Sequence, residues 1–278
     1  MPDTTDMLPM DIHCHSKHSF DGECSVADLC NAALSKNIAV LAITDHYELS
    51  ASIIDYHNVD TALTQSLADT LKAKQDYADK LTVLSGIELG QPLENQPKAE
   101  EILKSHDFDF VIAAMHNAPG GQDFYYYSPD NDAFLLEVEL ERYYTTILSM
   151  VDWASFDCAA HITYPFRYIN QFHDDYPAHK WDDHIEELVR HLAQQGLAME
   201  INTSGMKFTP PYTMPELRWV KRFRELGGEK LCLGADGHTT DHVGSGIREG
   251  LQIAIEAGFR YLCYFKHREA VYINISKT

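Results

Sequence analysis

Short apolar runs alternate with amphipathic stretches along most of this chain. The runs cover residues 10–15, 39–46, 82–89, 108–116, 157–162, 198–202, 230–236 and 261–265. Most are rich in Val, Ile, Leu and Ala without two-residue alternation, the pattern of parallel strands buried on both faces. Between them, helical patterning covers 59–80, 95–105, 131–150, 182–195, 214–226 and 244–257. Another helix opens at Ser25, an N-cap with Asp28 three positions on, and continues through Leu29, Ala32 and Ala33. Residues 117–130, rich in Gly, Pro and Tyr, form a long loop after the fourth run, where loops commonly cover a site. Strand–helix alternation over 278 residues predicts an α/β chain in one domain, either a parallel barrel or a doubly wound sheet.

Composition narrows the function. The apolar fraction of 45 % is ordinary for a globular core. No stretch approaches the ~18 apolar residues of a membrane helix, and the first ten residues lack the basic and apolar regions of a signal peptide. A cytoplasmic location is therefore expected. The net charge of −20 argues against nucleic acid and anionic membranes as partners. An anionic substrate would need a local reversal of sign, which bound cations supply. The six cysteines contain no Cys-x-x-Cys pair and read as reduced thiols. Cys14, between two histidines on a strand, should point away from both.

The ends of the runs carry the chemistry. The first ends in Asp11-Ile-His-Cys-His15, so His13 and His15 share a face. Later runs end in Thr44-Asp-His46, Gly86-Ile-Glu88, Met115-His116 and Gly234-Ala-Asp-Gly-His238, and the fifth contains His161. In a parallel barrel these ends meet at one mouth, where active sites lie. A lone histidine at a strand end is more often a hydrogen-bonded structural residue, and the chain has 15 histidines. Recurrence at six ends is harder to explain that way. Six histidines converging with Asp21, Glu88 and Asp236 would be costly without a positive partner. A His, Asp and Glu donor set without paired thiolates suits Zn, Mn or Fe rather than Ca or Mg alone.

These motifs resemble the polymerase and histidinol phosphatase (PHP) family. The matching segments are Asp11-Ile-His-Cys-His15, Ser19-Phe-Asp-Gly22, Ile43-Thr-Asp-His46, Gly86-Ile-Glu-Leu-Gly-Gln91, His116-Asn117, His161 and Gly234-Ala-Asp-Gly-His238, in order over most of the chain. The resemblance implies a distorted, TIM-like (β/α)7 barrel and three divalent metal ions. His13, His15, Glu88 and Asp236 would hold one. Glu88 would bridge to a second, held also by His116 and His161. Asp21, His46 and His238 would hold the third.

Within the family the chain is most similar to the histidinol-phosphate phosphatase branch, on Gly86–Pro92, Phe110-Val-Ile, Asp123-Phe124, the segment from His161 to Tyr168, and Glu200-Ile-Asn-Thr-Ser-Gly205. That implies a phosphomonoesterase of histidine biosynthesis acting on a small phosphate ester, L-histidinol phosphate. Arg167 and Lys207 would meet the phosphate. Asp236 or His238 would protonate the leaving oxygen, and Tyr125, Tyr126, Tyr127 and Tyr168 are candidate partners for the amine and imidazole. Three other functions remain open on the residues: a phosphoesterase for a nucleotide or another small ester, a non-catalytic metal-binding module, and metal-dependent C–N hydrolysis.

Overall fold

The computed structural model describes residues 8–50, 59–130, 135–173 and 176–276. Its centre is a curled parallel sheet. Strand β1 (Val40–Ile43) and β2 (His46–Glu48) both pair with β3 (Thr82–Gly90), as successive pieces of one interrupted strand. The order then runs β3, β4 (Phe110–Ala114), β5 (Cys158–Ala159), β6 (Ala198–Asn202) and β7 (Leu231–Gly234), all parallel.

The N-terminal segment joins the two edges. On one side the Asp11 amide donates to Val40 O at 2.8 Å; on the other, Ile12 donates to Leu233 O at 3.0 Å and His15 to Gly237 O at 2.8 Å. Residues 10–15 are therefore no regular strand but a stave held by bridges on both flanks. That segment, the β1–β2 pair and β3 to β7 make up the distorted seven-stave barrel.

The helices follow the sequence pattern with shifted ends: α1 (Val26–Ser35), α2 (Val59–Asp76), α3 (Gln96–Ser105), α4 (Leu136–Trp153), α5 (Tyr164–Ile169), α6 (Asp182–Gln195), α7 (Leu217–Glu225) and α8 (Ile247–Glu256). The start expected for α4, residues 131–134, lies outside the described residues. Ser25 and Asp28 form a reciprocal capping box at the start of α1. On α6, Ile185, Leu188, Val189 and Leu192 are buried, one stripe at helical spacing. Burying each contributes roughly 1.5–3 kcal/mol. Gly196, at φ 64°, ends the helix in the left-handed conformation that glycine adopts without cost.

One run departs from its expected role. Residues 261–265 are not a buried parallel strand. They belong to β8 (Tyr261–Lys266), paired antiparallel with β9 (Glu269–Asn274) outside the barrel ring. The hairpin seals the end opposite the mouth: Phe265 stacks on Phe110 at 5.6 Å, and Arg268 Nε lies 2.6 Å from Asp157. Its turn residues His267 and Arg268 both have positive φ. Hydrogen bonds hold that turn, with the His267 amide donating to the Asp109 carboxylate and the Arg268 amide to Asp109 O.

Candidate metal centre and active site

Glu88, near the end of β3, is the hub of the mouth. Five imidazoles surround its buried carboxylate: His46 at 3.0 Å, His13 at 3.1 Å, His161 at 3.2 Å, and His15 and His116 at 3.3 Å. Asp236 lies 3.3 Å from His15, and Asp21 lies 3.0 Å from His238 and 3.7 Å from His46. All nine residues expected as ligands meet in this one cluster.

Backbone geometry aims them. His13 and His15 leave the closing stave on one side, with rings 5.0 Å apart, while Cys14 between them is buried. His161 and Asp236, just past β5 and β7, have φ of 21° and 54°. Such backbone costs non-glycine residues about 1–3 kcal/mol each and persists where the surroundings over-determine it. Here the His161 amide donates to Glu200 Oε2 at 2.8 Å.

Charge balance in the cluster is tight. Burial works against an ionised Glu88, but the charges of His46 and His13 outweigh it and hold the carboxyl well below its usual range. Asp236 is held down in the same way by His13 and His15. Burial, with the His46 and His238 charges, lowers His15 to about 4.

A set of donors lacks partners. His13 Nε2, His15 Nε2 and His46 Nδ1 crowd the buried Glu88 Oε2 at 3.0–3.3 Å, but none of the four atoms makes an aligned hydrogen bond among the described residues. Leaving four such atoms unmet would cost about 1–3 kcal/mol each or more. Three overlapping groups have donor atoms within 4.8 Å of one another: His13, His15 and Glu88; Glu88, His116 and His161; and His15, His46 and His238. That spacing and chemistry fit divalent cations bound by nitrogen and carboxylate oxygen.

Two further carboxylates went unassigned in the sequence. Glu200, in β6, lies 2.7 Å from His13 Nδ1, leaving Nε2 directed at the cluster. Glu48, in β2, lies 3.2 Å from both His46 Nδ1 and His116 Nδ1. Burial opposes its ionised form, but the His116 charge lowers it to about 2. Two glycines make room: a Cβ at Gly90 would overlap the Glu48 carboxylate, and one at Gly234 would overlap Glu200 and His13. A charged residue inside an otherwise apolar strand is the signal that marks Glu200.

Arg167, on α5, is mostly buried. Its Nη1 donates to Ser204 Oγ at 3.0 Å and lies 3.5 Å from Asp236, and its guanidinium sits over the Tyr168 ring. Its Nε has no hydrogen-bond partner among the described residues. Lys207 is on the exposed rim, over the Phe208 ring. Of the four tyrosines, Tyr125 packs edge-on to Tyr168 at 5.6 Å and to the exposed Tyr126 at 5.1 Å, while Tyr127 is buried with its hydroxyl 2.8 Å from His173.

The family model for the PHP domain matches residues 11–204, well over half of the chain and all but the last two of the clustered residues. The chain belongs to the PHP domain family. Among its relatives, the "Probable histidinol-phosphatase" of Thermotoga maritima is 27 % identical over 91 % of this chain and 94 % of that one. The histidinol-phosphatase of Lactococcus lactis subsp. lactis is 24 % identical over 93 % and 95 %. A histidinol phosphate phosphatase from Lactococcus lactis, solved with Zn, L-histidinol and phosphate, has the same fold: TM-score 0.78, 21 % identity, covering 95 % of this chain and 99 % of that one.

Proposed function

We propose that this PHP protein is a metal-dependent phosphomonoesterase that hydrolyses L-histidinol phosphate to L-histidinol and phosphate. The observation that carries the reading is the convergence of five imidazoles on the Glu88 carboxylate, with the Arg167 guanidinium beside Asp236 at the same mouth. The names of the two relatives and the ligands of the solved neighbour support the substrate.

Three divalent ions, Zn, Mn or Fe, fit the donor set. His13, His15, Glu88 and Asp236 would hold the first, Glu88 with His116 and His161 the second, and Asp21, His46 and His238 the third. Such ions, when bound, acidify a coordinated water and offset phosphoryl charge. The chain's own residues do the rest. Arg167 binds phosphoryl oxygens as charge grows on them, and Lys207 adds positive charge at the rim. The leaving alkoxide needs a proton, and Asp236 or His238 would relay it, directly or through water. The test is hydrolysis of histidinol phosphate against nucleotides and sugar phosphates, with metal content measured on the same sample. A metal-loaded, folded protein that cleaves none of them rejects the reading, and a preference for a nucleotide redirects it.

A further inference from the structure

Asp123 is a carboxylate at the mouth that the reading above does not use. It lies in the loop after β4. The Tyr164 hydroxyl donates to its Oδ1 at 3.0 Å, and the Tyr125 amide donates to the same oxygen at 2.8 Å. Both bonds fall on Oδ1, and among the described residues no hydrogen bond reaches Oδ2. Among the described residues no cationic side chain lies within 4 Å of it.

Its position relative to the metal centre is set by aromatic rings. The Tyr164 ring packs 4.9 Å from both His116 and His161, so its hydroxyl reaches from the cluster to Asp123. Tyr168 meets Tyr164 at 5.1 Å and carries the Arg167 guanidinium on its face at 5.4 Å. Arg167, Tyr168, Tyr164 and Asp123 thus form one wall, cationic at one end and anionic at the other. Burial pushes the Asp123 carboxyl up, with the His116 charge and the Tyr125 amide only partly opposing. That is the behaviour of an anion short of a cation.

We propose that Asp123 accepts a hydrogen bond from a protonated nitrogen on the leaving group, which selects phosphate monoesters of amino alcohols. This rests on the phosphatase reading and adds the residue that discriminates. With the phosphate at the Arg167 end, the carbon body lies along the tyrosines and the ammonium reaches Oδ2. A nucleotide would bring no cation to that carboxylate. The competing role for Asp123 is structural: it caps the short turn Phe124–Tyr126 and orients Tyr164.

D123N separates the two, because the amide oxygen still caps the turn and still accepts from Tyr164 while the charge is gone. The assay compares kcat/KM for L-histidinol phosphate with that for its des-amino counterpart, the same ester lacking the amine. Wild type should prefer the amine by about 10- to 100-fold, the worth of one hydrogen bond to a charged group. In D123N that ratio should fall towards one, mainly through KM. Y164F, which removes the donor holding Oδ1, should lower the ratio less. Equal loss on both esters, or a wild type indifferent to the amine, overturns the proposal. Wild type that cleaves neither ester rejects the phosphatase reading instead. Calorimetric binding of the two esters then decides for Asp123, with equal affinity counting against it.

Discussion

Glu200 Oε1 lies 2.7 Å from His13 Nδ1, and both side chains are fully buried. The contact fixes which nitrogen of His13 carries the proton and leaves Nε2 to face Glu88 at 3.1 Å. Carboxylates that orient ligand histidines in this way change metal affinity by about 10–100-fold when removed. E200A should therefore weaken metal retention by that factor against a competing chelator, with kcat falling in parallel. E200D should recover part of the loss. A variant that keeps its metal affinity but is inactive would mean that Glu200 acts otherwise.

Glu88 is the most heavily shared group of the cluster, and its removal should be felt by every neighbour. E88Q keeps the shape and removes the charge that does most, against burial, to raise His46 and that adds to Glu200 in raising His13. At least one metal ion per chain should be lost and hydrolysis should fall on the order of 10²–10³-fold, as when a buried electrostatic contact to the transition state is deleted. Elemental analysis with steady-state rates checks both. Full metal content with near-native turnover would end the bridging role.

Much of this site was legible because strand ends are legible. His-x-His at the close of an apolar run, followed by Asp-His, Glu and Asp-Gly-His at later ends, needs only strand alternation to put those groups on one rim. Glu48 and Glu200 escaped because each acts through histidines, which spacing along the chain does not show. Helix α5 is only six residues long, too short for a periodic signal. The β8 run was misassigned because five apolar residues do not reveal whether the partner strand is parallel. Its antiparallel mate β9, half exposed, carries a four-residue apolar stretch that follows too closely on β8 for a parallel strand–helix–strand pattern. The closing stave was placed correctly in the barrel, although bridges rather than a regular ladder hold it.

Arg167 is placed by Ser204, Asp236 and the face of Tyr168, and its buried Nε has no hydrogen-bond partner among the described residues. R167A should lower kcat/KM by about 10²–10³-fold and weaken inhibition by inorganic phosphate. R167K should rescue little, since an ammonium can neither stack on Tyr168 nor offer a planar fork of donors. Rates of R167K within a few-fold of wild type would show that only charge matters there.

Lys74 and Asp109 tie α2 to the closed end of the barrel, and they make stability depend on pH in a defined direction. Lys74 pairs with the Asp109 carboxylate, which also accepts from the Ser85 amide at 3.0 Å and the His267 amide at 3.2 Å. Burial raises the Asp109 carboxyl, but Lys74 and these amides outweigh it, so the folded pKa lies below the ordinary value of 3.8. The folded chain therefore holds this proton less tightly than the unfolded chain. The stabilisation is complete above the unfolded value and is lost as pH falls through the folded one. K74M removes the main cation and should cost about 1–3 kcal/mol at neutral pH, the scale of a hydrogen bond to a charged group. Urea unfolding of wild type and K74M from pH 7 to pH 3 measures the difference. It should stay constant down to about pH 5 and shrink below about pH 4 as Asp109 protonates in both states. A difference that persists unchanged at pH 3 would mean that Lys74 contributes through its packed methylenes rather than its charge.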